Sequence, residues 1–220
     1  MSETCIEESR LATAELSLGS LLSPGAWRPA LPPEVNPRQI GDELWSDAFD
    51  KDQLDDRPLY WQRLILSQYL KELGAESSDL LEFELASRGM LGNQFSGGAT
   101  YRVLVTGFDP FHLDDYIEQG NPSGVVALQH QHKQIALGAG RAEIRSMIFP
   151  VRYKDFDEFL VERVLETFTD KVDMVITVSM GRTGFDLERF PGRRRSVSTP
   201  DNARQAGGGS AEKPFVPPYL

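Results

Sequence analysis

Cysteine occurs once in these 220 residues, at Cys5, and histidine only three times. A single thiol excludes an internal disulfide and a thiolate-rich metal site, and it suits a reducing compartment. Its place near the amino terminus makes an exposed thiol in a frayed segment the plain reading. Long apolar runs are missing too, since none approaches the roughly 20 residues of a membrane-spanning helix. The opening MSETCIEESR carries acidic groups where a secretory leader has a basic and then an apolar region. No membrane partner is therefore expected, and the cytoplasm is the expected location. Basic side chains are the third scarcity: 23 Lys and Arg stand against 33 Asp and Glu, a formal charge of −10. The imbalance belongs to residues 1–100, which hold 17 acids and 8 bases. Phosphate binding needs a basic face, so nucleic acid is not an expected partner. The one basic cluster, Arg193-Arg194-Arg195 after Pro191-Gly192, reads as a solvated loop.

What is present is apolar content of 40%, enough for a core in one large domain or two small ones. Residues 1–56 mix short leucine clusters with Pro24, Pro29, Pro32, Pro33 and Pro37, and read as a draped extension. Its acidic run at 42–56 reads as a solvated face, with Trp45 and Phe49 at a spacing suited to docking on a partner. Residues 56–74 predict a strong helix: Asp56 caps, Pro58 sits in the first turn, Trp61, Ile65, Leu66, Tyr69 and Leu70 form a broad apolar face, and Gly74 stops it. A second helix at 78–88 would turn Leu81 and Leu85 inward and pair Glu84 with Arg88 on the outside. Residues 92–99, GNQFSGGA, read as a linker. The expected division is an acidic, mainly helical extension over 1–99 and an α/β domain over 100–220.

In that second part the pattern changes. A strand is expected at 102–106, a helix from the Asn121 cap and Pro122 to about Leu137, and an alternating strand at 143–149. A helix at 155–168 and an apolar strand at 173–178 follow, the strand expected to be buried on both faces. This alternation implies a three-layer α/β fold with a mostly parallel sheet. Ligands in such sheets sit beyond the carboxyl ends of the strands. Two unusual loops fall there, 107–111 (GFDPF) and 179–184 (SMGRTG).

The block VTGFDPF, then NPSG before a helix, IFPV, GRTGFDLER, TPDNARQAGGG and PFVPP together resemble, in order and spacing, the pyroglutamyl peptidases, also called pyrrolidone-carboxylate peptidases. The resemblance covers residues 101–220. It implies a phosphorylase/hydrolase-like domain, incomplete at its carboxyl end, that needs no cofactor or metal. Such enzymes remove an amino-terminal pyroglutamyl residue with a cysteine nucleophile, a histidine and an orienting glutamate. By resemblance Glu188 is the catalytic glutamate, Phe108 and Phe111 flank the lactam ring, and Asn121 lies near its pocket. Read alone, Glu188 is a surface ion-pair residue, the phenylalanines are core, and Asn121 is a helix cap.

The family's cysteine and histidine follow the Pro-Asp-Asn loop, and this chain has neither there. Cys5 precedes the whole domain, His112 stands at a position usual for glycine, and His130 and His132 fall within a helix. The expectation is a chain inactive alone, the front part of a longer enzyme acting on amino-terminal pyroglutamyl peptides or a related small amide. The alternative is a non-catalytic binding or assembly module, its partner a second copy or a complementary chain. A nucleotide site at the glycine turn is disfavoured, because the fingerprint's second and third glycines are missing.

Overall fold

A computed structural model describes residues 3–19, 36–50, 54–181, 184, 186–188, 199–207 and 212–213. Helices α1 (Glu3–Glu8), α2 (Leu11–Leu18), α3 (Pro37–Asp50), α4 (Arg57–Glu72) and α5 (Ser77–Ala86) precede the first strand, β1 (Tyr101–Phe108). There follow α6 (Pro122–His130), β2 (Gln134–Leu137), β3 (Gly140–Phe149), α7 (Tyr153–Asp157), α8 (Leu160–Glu166) and β4 (Met174–Thr177). The strands form one sheet in the order β2-β3-β1-β4. β1 runs parallel to β3, from Tyr101 opposite Ala142 to Phe108 opposite Phe149, and parallel to β4. β2 is antiparallel to β3. The fold is therefore mixed α/β with a mostly parallel sheet. No helix among the described residues is long and apolar enough to cross a membrane.

α4 organises the helical part. Leu59, Leu66 and Leu70 join Leu44, Trp45 and Phe83 in one apolar cluster that reaches Ala127, Leu128 and Ile148 on α6 and β3. Tyr60, Trp61 and Leu64 face a second cluster with Ala14, Leu18 and Leu113. The helical part is thus bound to the sheet rather than draped over it, and Trp45 docks within the chain. On the sheet's other face Leu104, Met147 and Phe149 pack with Val161, Val164 and Phe168. α6 crosses β1 so closely that a Cβ on Gly107 would lie 2.2 Å from the Ser123 carbonyl oxygen. Only glycine fits there.

Several local expectations change. The helix after Asn121 ends at His130, because Gln131 turns extended and His132 adopts φ 61°; the next residues form the β2–β3 hairpin instead. The helix expected at 155–168 is broken in two at Phe159, whose φ is 59°. β4 is not buried on both faces, since it is an edge strand with Met174, Val175 and Ile176 exposed by 56%, 45% and 43%. α5 presents a face rotated from the one expected: Leu85 packs against the core as expected, but Leu81 is 44% exposed, whereas Phe83 and, just past the helix, Arg88 are buried.

Candidate functional site

β1 and β3, being parallel and in register, deliver their following loops to the same edge of the sheet. A third segment, residues 199–205, is docked on those loops. Its Asn202 backbone N–H donates to the Val151 carbonyl (3.0 Å), and its Asn202 Nδ2 donates to the Pro110 carbonyl (2.8 Å). Asp201 accepts from the backbone N–H groups of Tyr153 (2.7 Å), Ala203 (2.9 Å) and Gln205 (2.8 Å). The Tyr153 hydroxyl donates to the Thr199 carbonyl at 3.0 Å.

Between these segments lies a pocket of about 330 Å³. Its walls are mainly rings and apolar surface: Phe108, Phe111, Phe156, Tyr153, Pro150 and Val151. The Phe108 centroid is 5.7 Å from that of Phe149 and 6.4 Å from that of Phe156, so the pocket wall continues into the core of the sheet. At the rim His112 holds φ 63°, and its ring lies 4.5 Å from that of Phe111.

Beneath the pocket is a buried ionic cluster. Asp109, directly after β1, accepts from Arg63 Nη1 (3.0 and 3.2 Å) and pairs with Arg88 Nη1 (2.6 Å). Arg88 also grips Glu84 at 2.8 Å. Arg152, on the loop after β3, spends its guanidinium on Asp155 (2.5 Å), Glu84 (2.7 Å) and Glu7 (3.2 Å). The Tyr60 hydroxyl donates to Glu7 at 3.0 Å. Burial pushes the Glu7 carboxyl up against the pull of Arg152. Glu84 is held far below the usual carboxylate range: burial opposes its ionisation, but the Arg88, Arg152 and Arg63 charges together outweigh it. Burial, with the neighbouring Arg88 charge, lowers Arg63. Further out, Asp114 is held low by Arg10 (2.6 Å) and Arg204 (2.6 Å), and Arg10 Nη1 also donates to the Asn202 carbonyl at 2.7 Å.

The four residues singled out from sequence have separate fates. Phe108 and Phe111 line the pocket. Asn121 caps α6, accepting from Ser123 N–H (3.0 Å) and Ser123 Oγ (2.8 Å) and donating to the Asp109 carbonyl (2.9 Å). Glu188 is exposed and is not part of the pocket. Of the second loop, Arg182 and Thr183 lie outside the described residues, as do Arg193-Arg194-Arg195. Asp56 does not cap α4; its carboxylate instead accepts from the Asn121 N–H, 3.0 Å from each oxygen, at the start of α6. Sequence reasoning missed Arg63, Arg152 and Glu7 and set the Glu84–Arg88 pair on the outside, although an arginine inside the apolar face of a strong helix, as Arg63 is, was a visible signal. Among the described residues no group of three or more His, Cys, Asp or Glu side chains is placed to hold a metal.

Comparison with known proteins overturns the pyroglutamyl-peptidase resemblance and the hydrolase, peptidase and cysteine-protease assignments drawn from it. Residues 102–217 match the family described as "PA0049, C-terminal domain". An "Uncharacterized protein PA0049" of Pseudomonas aeruginosa is 31% identical over 191 residues, covering 70% of this chain and 34% of that protein. The chain thus spans about a third of that relative's length. Because 102–217 is little more than half of the chain, a match covering 70% also reaches into the helical part. No solved structure matches. The physical reason for the misreading is that VTGFDPF and NPSG satisfy this fold's own needs. Gly107 admits α6, Asp109 neutralises arginines of the helical part, and Asn121 caps a helix. The chain belongs to the PA0049 C-terminal domain family.

Proposed function

We propose that the chain is a non-catalytic binding module on a three-layer α/β frame in a reducing, cytoplasmic setting. It receives a small, flat, largely apolar group in the crevice beyond the carboxyl ends of β1 and β3. The observation that carries this reading is the pocket itself: about 330 Å³, walled by Phe108, Phe111, Phe156 and Tyr153. Ligand sites of this kind begin at about 300 Å³ and combine apolar walls with few polar groups. The charged groups at its edge are committed elsewhere, Arg152 to three carboxylates and Asp201 to three backbone N–H groups. They hold the pocket's shape, which favours binding over proton transfer, and His112 is left at the rim to meet a polar end of the ligand.

The test is a titration of the protein, isotope-labelled at phenylalanine, with indole and benzamide. Saturable shifts are expected at the rings of Phe108, Phe111 and Phe156, and they should vanish in Thr199→Trp, which fills the pocket. Shifts that persist in that variant, or no saturable shift with either probe, refute the proposal.

The exposure of Met174, Val175 and Ile176 favours a second reading, assembly, in which a partner strand continues the sheet at β4. Light scattering after size exclusion checks it: a monomer at all concentrations that also captures no strand peptide removes this reading.

A further inference from the structure

A groove of about 860 Å³ lies apart from the aromatic pocket, between residues 91–100 and α8. One wall is α8 with the turns that follow it. Leu160, Val164 and Phe168 recur at a spacing of four and make an apolar row. Arg163, Thr167 and Lys171 repeat that spacing beside it.

The facing wall, glycine-rich in sequence, is tied to β3 at several points. Asn93 Nδ2 donates to the Ser146 carbonyl at 2.6 Å. Ser96 donates to the buried Glu143 through its backbone N–H (2.9 Å) and its hydroxyl (2.6 Å). Arg145, ion-paired with Glu143, donates from Nε to the Gln94 carbonyl at 2.7 Å and lies over the Phe95 ring. These ties hold the wall against the strand beneath it.

Its charge is of one sign. Arg102, Arg163 and Lys171 line it and, among the described residues, no Asp or Glu does, on a chain whose net charge is −10. Arg102 pairs with Asp173 at 3.2 Å. Arg163 is exposed, and Lys171 Nζ stands 6.0 Å from the centroid of the Phe168 ring. Arg163 and Lys171 are exposed, so each adds a modest, salt-dependent attraction for an anion lying on the apolar row.

We propose that this groove is a second binding site, for a small amphipathic anion whose apolar body lies along Leu160, Val164 and Phe168 and whose single anionic head meets Arg163 and Lys171. Carboxylate and sulfonate heads satisfy the same requirement.

The experiment is fluorescence titration of the full chain with anilinonaphthalene sulfonate, followed by competition with dodecanoate and with dodecyltrimethylammonium below their micellar concentrations. Saturable binding is expected, displaced by dodecanoate and not by the cationic analogue, and weakened by added salt. Two exposed charges at roughly 0.2–1 kcal/mol each make the Arg163→Gln/Lys171→Gln variant about two- to thirtyfold weaker, with its circular dichroism unchanged. The swap Arg163→Lys/Lys171→Arg should keep the affinity, and Thr199→Trp should leave it untouched. Unchanged affinity in the glutamine variant, equal displacement by the cation, or loss of binding in Thr199→Trp instead would each overturn the assignment.

Discussion

Replacing Asp109 with asparagine removes the carboxylate that Arg63 and Arg88 share while keeping its shape. All three side chains are 1–2% exposed. The consequences for the two arginines differ. Arg88 retains Glu84 at 2.8 Å, but Arg63 is left with the Ser87 hydroxyl at 3.1 Å and the Ser87 carbonyl at 3.4 Å, neither charged. Stranding a buried charge by removing its partner costs about 3–5 kcal/mol, against a total stability of about 5–15 kcal/mol for a typical domain. Arg63→Met offers the informative contrast. It removes one of two cations from a single anion, so Asp109 keeps Arg88 at 2.6 Å and no remaining charge loses its last partner. Part of the lost interaction is returned because burial of the Arg63 guanidinium no longer has to be met. The expected cost is therefore smaller than for Asp109→Asn, because no buried charge is left uncompensated. Urea unfolding followed by circular dichroism and tryptophan fluorescence measures both, provided the two variants share the wild-type slope. The reasoning fails if Asp109→Asn lies within about 1 kcal/mol of wild type or is no worse than Arg63→Met.

Two further outcomes follow from the same packing. Burial lifts the Asp56 carboxyl to about 7, with the Asn121 N–H pulling the other way. The protonated form is thus favoured in the folded state, and its stabilisation is full below the ordinary value of 3.8 and lost as pH rises toward 7. Asp56→Asn removes that loss, so the variant-minus-wild-type unfolding free energy should climb by up to about 1.4 kcal/mol per pH unit between 4 and 7 and then level off. A difference that does not vary with pH contradicts this. Gly107→Ala places a methyl 2.2 Å from the Ser123 carbonyl oxygen, and backbone on both sides must move. Thermal unfolding should show a destabilisation of about 1–3 kcal/mol or more, and a melting temperature equal to wild type would mean that α6 does not press on β1 as described.

What the sequence disclosed depended on how far apart the interacting residues were. β1, α4, the start of α6 and its Asn121 cap were legible because each is written in a few neighbouring residues: a β-branched run, an apolar stripe, Asn-Pro-Ser. The aromatic pocket was not legible from neighbouring residues alone: Phe108 and Phe111 read as core, and Phe156 and the 199–205 loop join them only through folding. Of the ionic cluster only the Glu84–Arg88 pair, four residues apart, was legible; its long-range bonds were not, since they join residues 46 apart for Arg63 and Asp109 and 145 apart for Arg152 and Glu7. A charged residue read by helix period alone is sent to the solvent side, which is how Glu84 and Arg88 came to be placed outside and Leu81 inside. The structure reverses this because Arg88 has a target across the fold that leucine lacks: Asp109, at the end of β1, together with the Ile148 carbonyl at 3.4 Å. That reversal also changes the meaning of the GFDPF turn. Its aspartate faces inward as the shared counter-ion of two helical arginines, and this inward tie anchors the turn on which Phe108 and Phe111 reach the pocket. The helical part and the sheet therefore shape one pocket between them, and if it binds as proposed, its affinity should track the integrity of the Asp109 cluster.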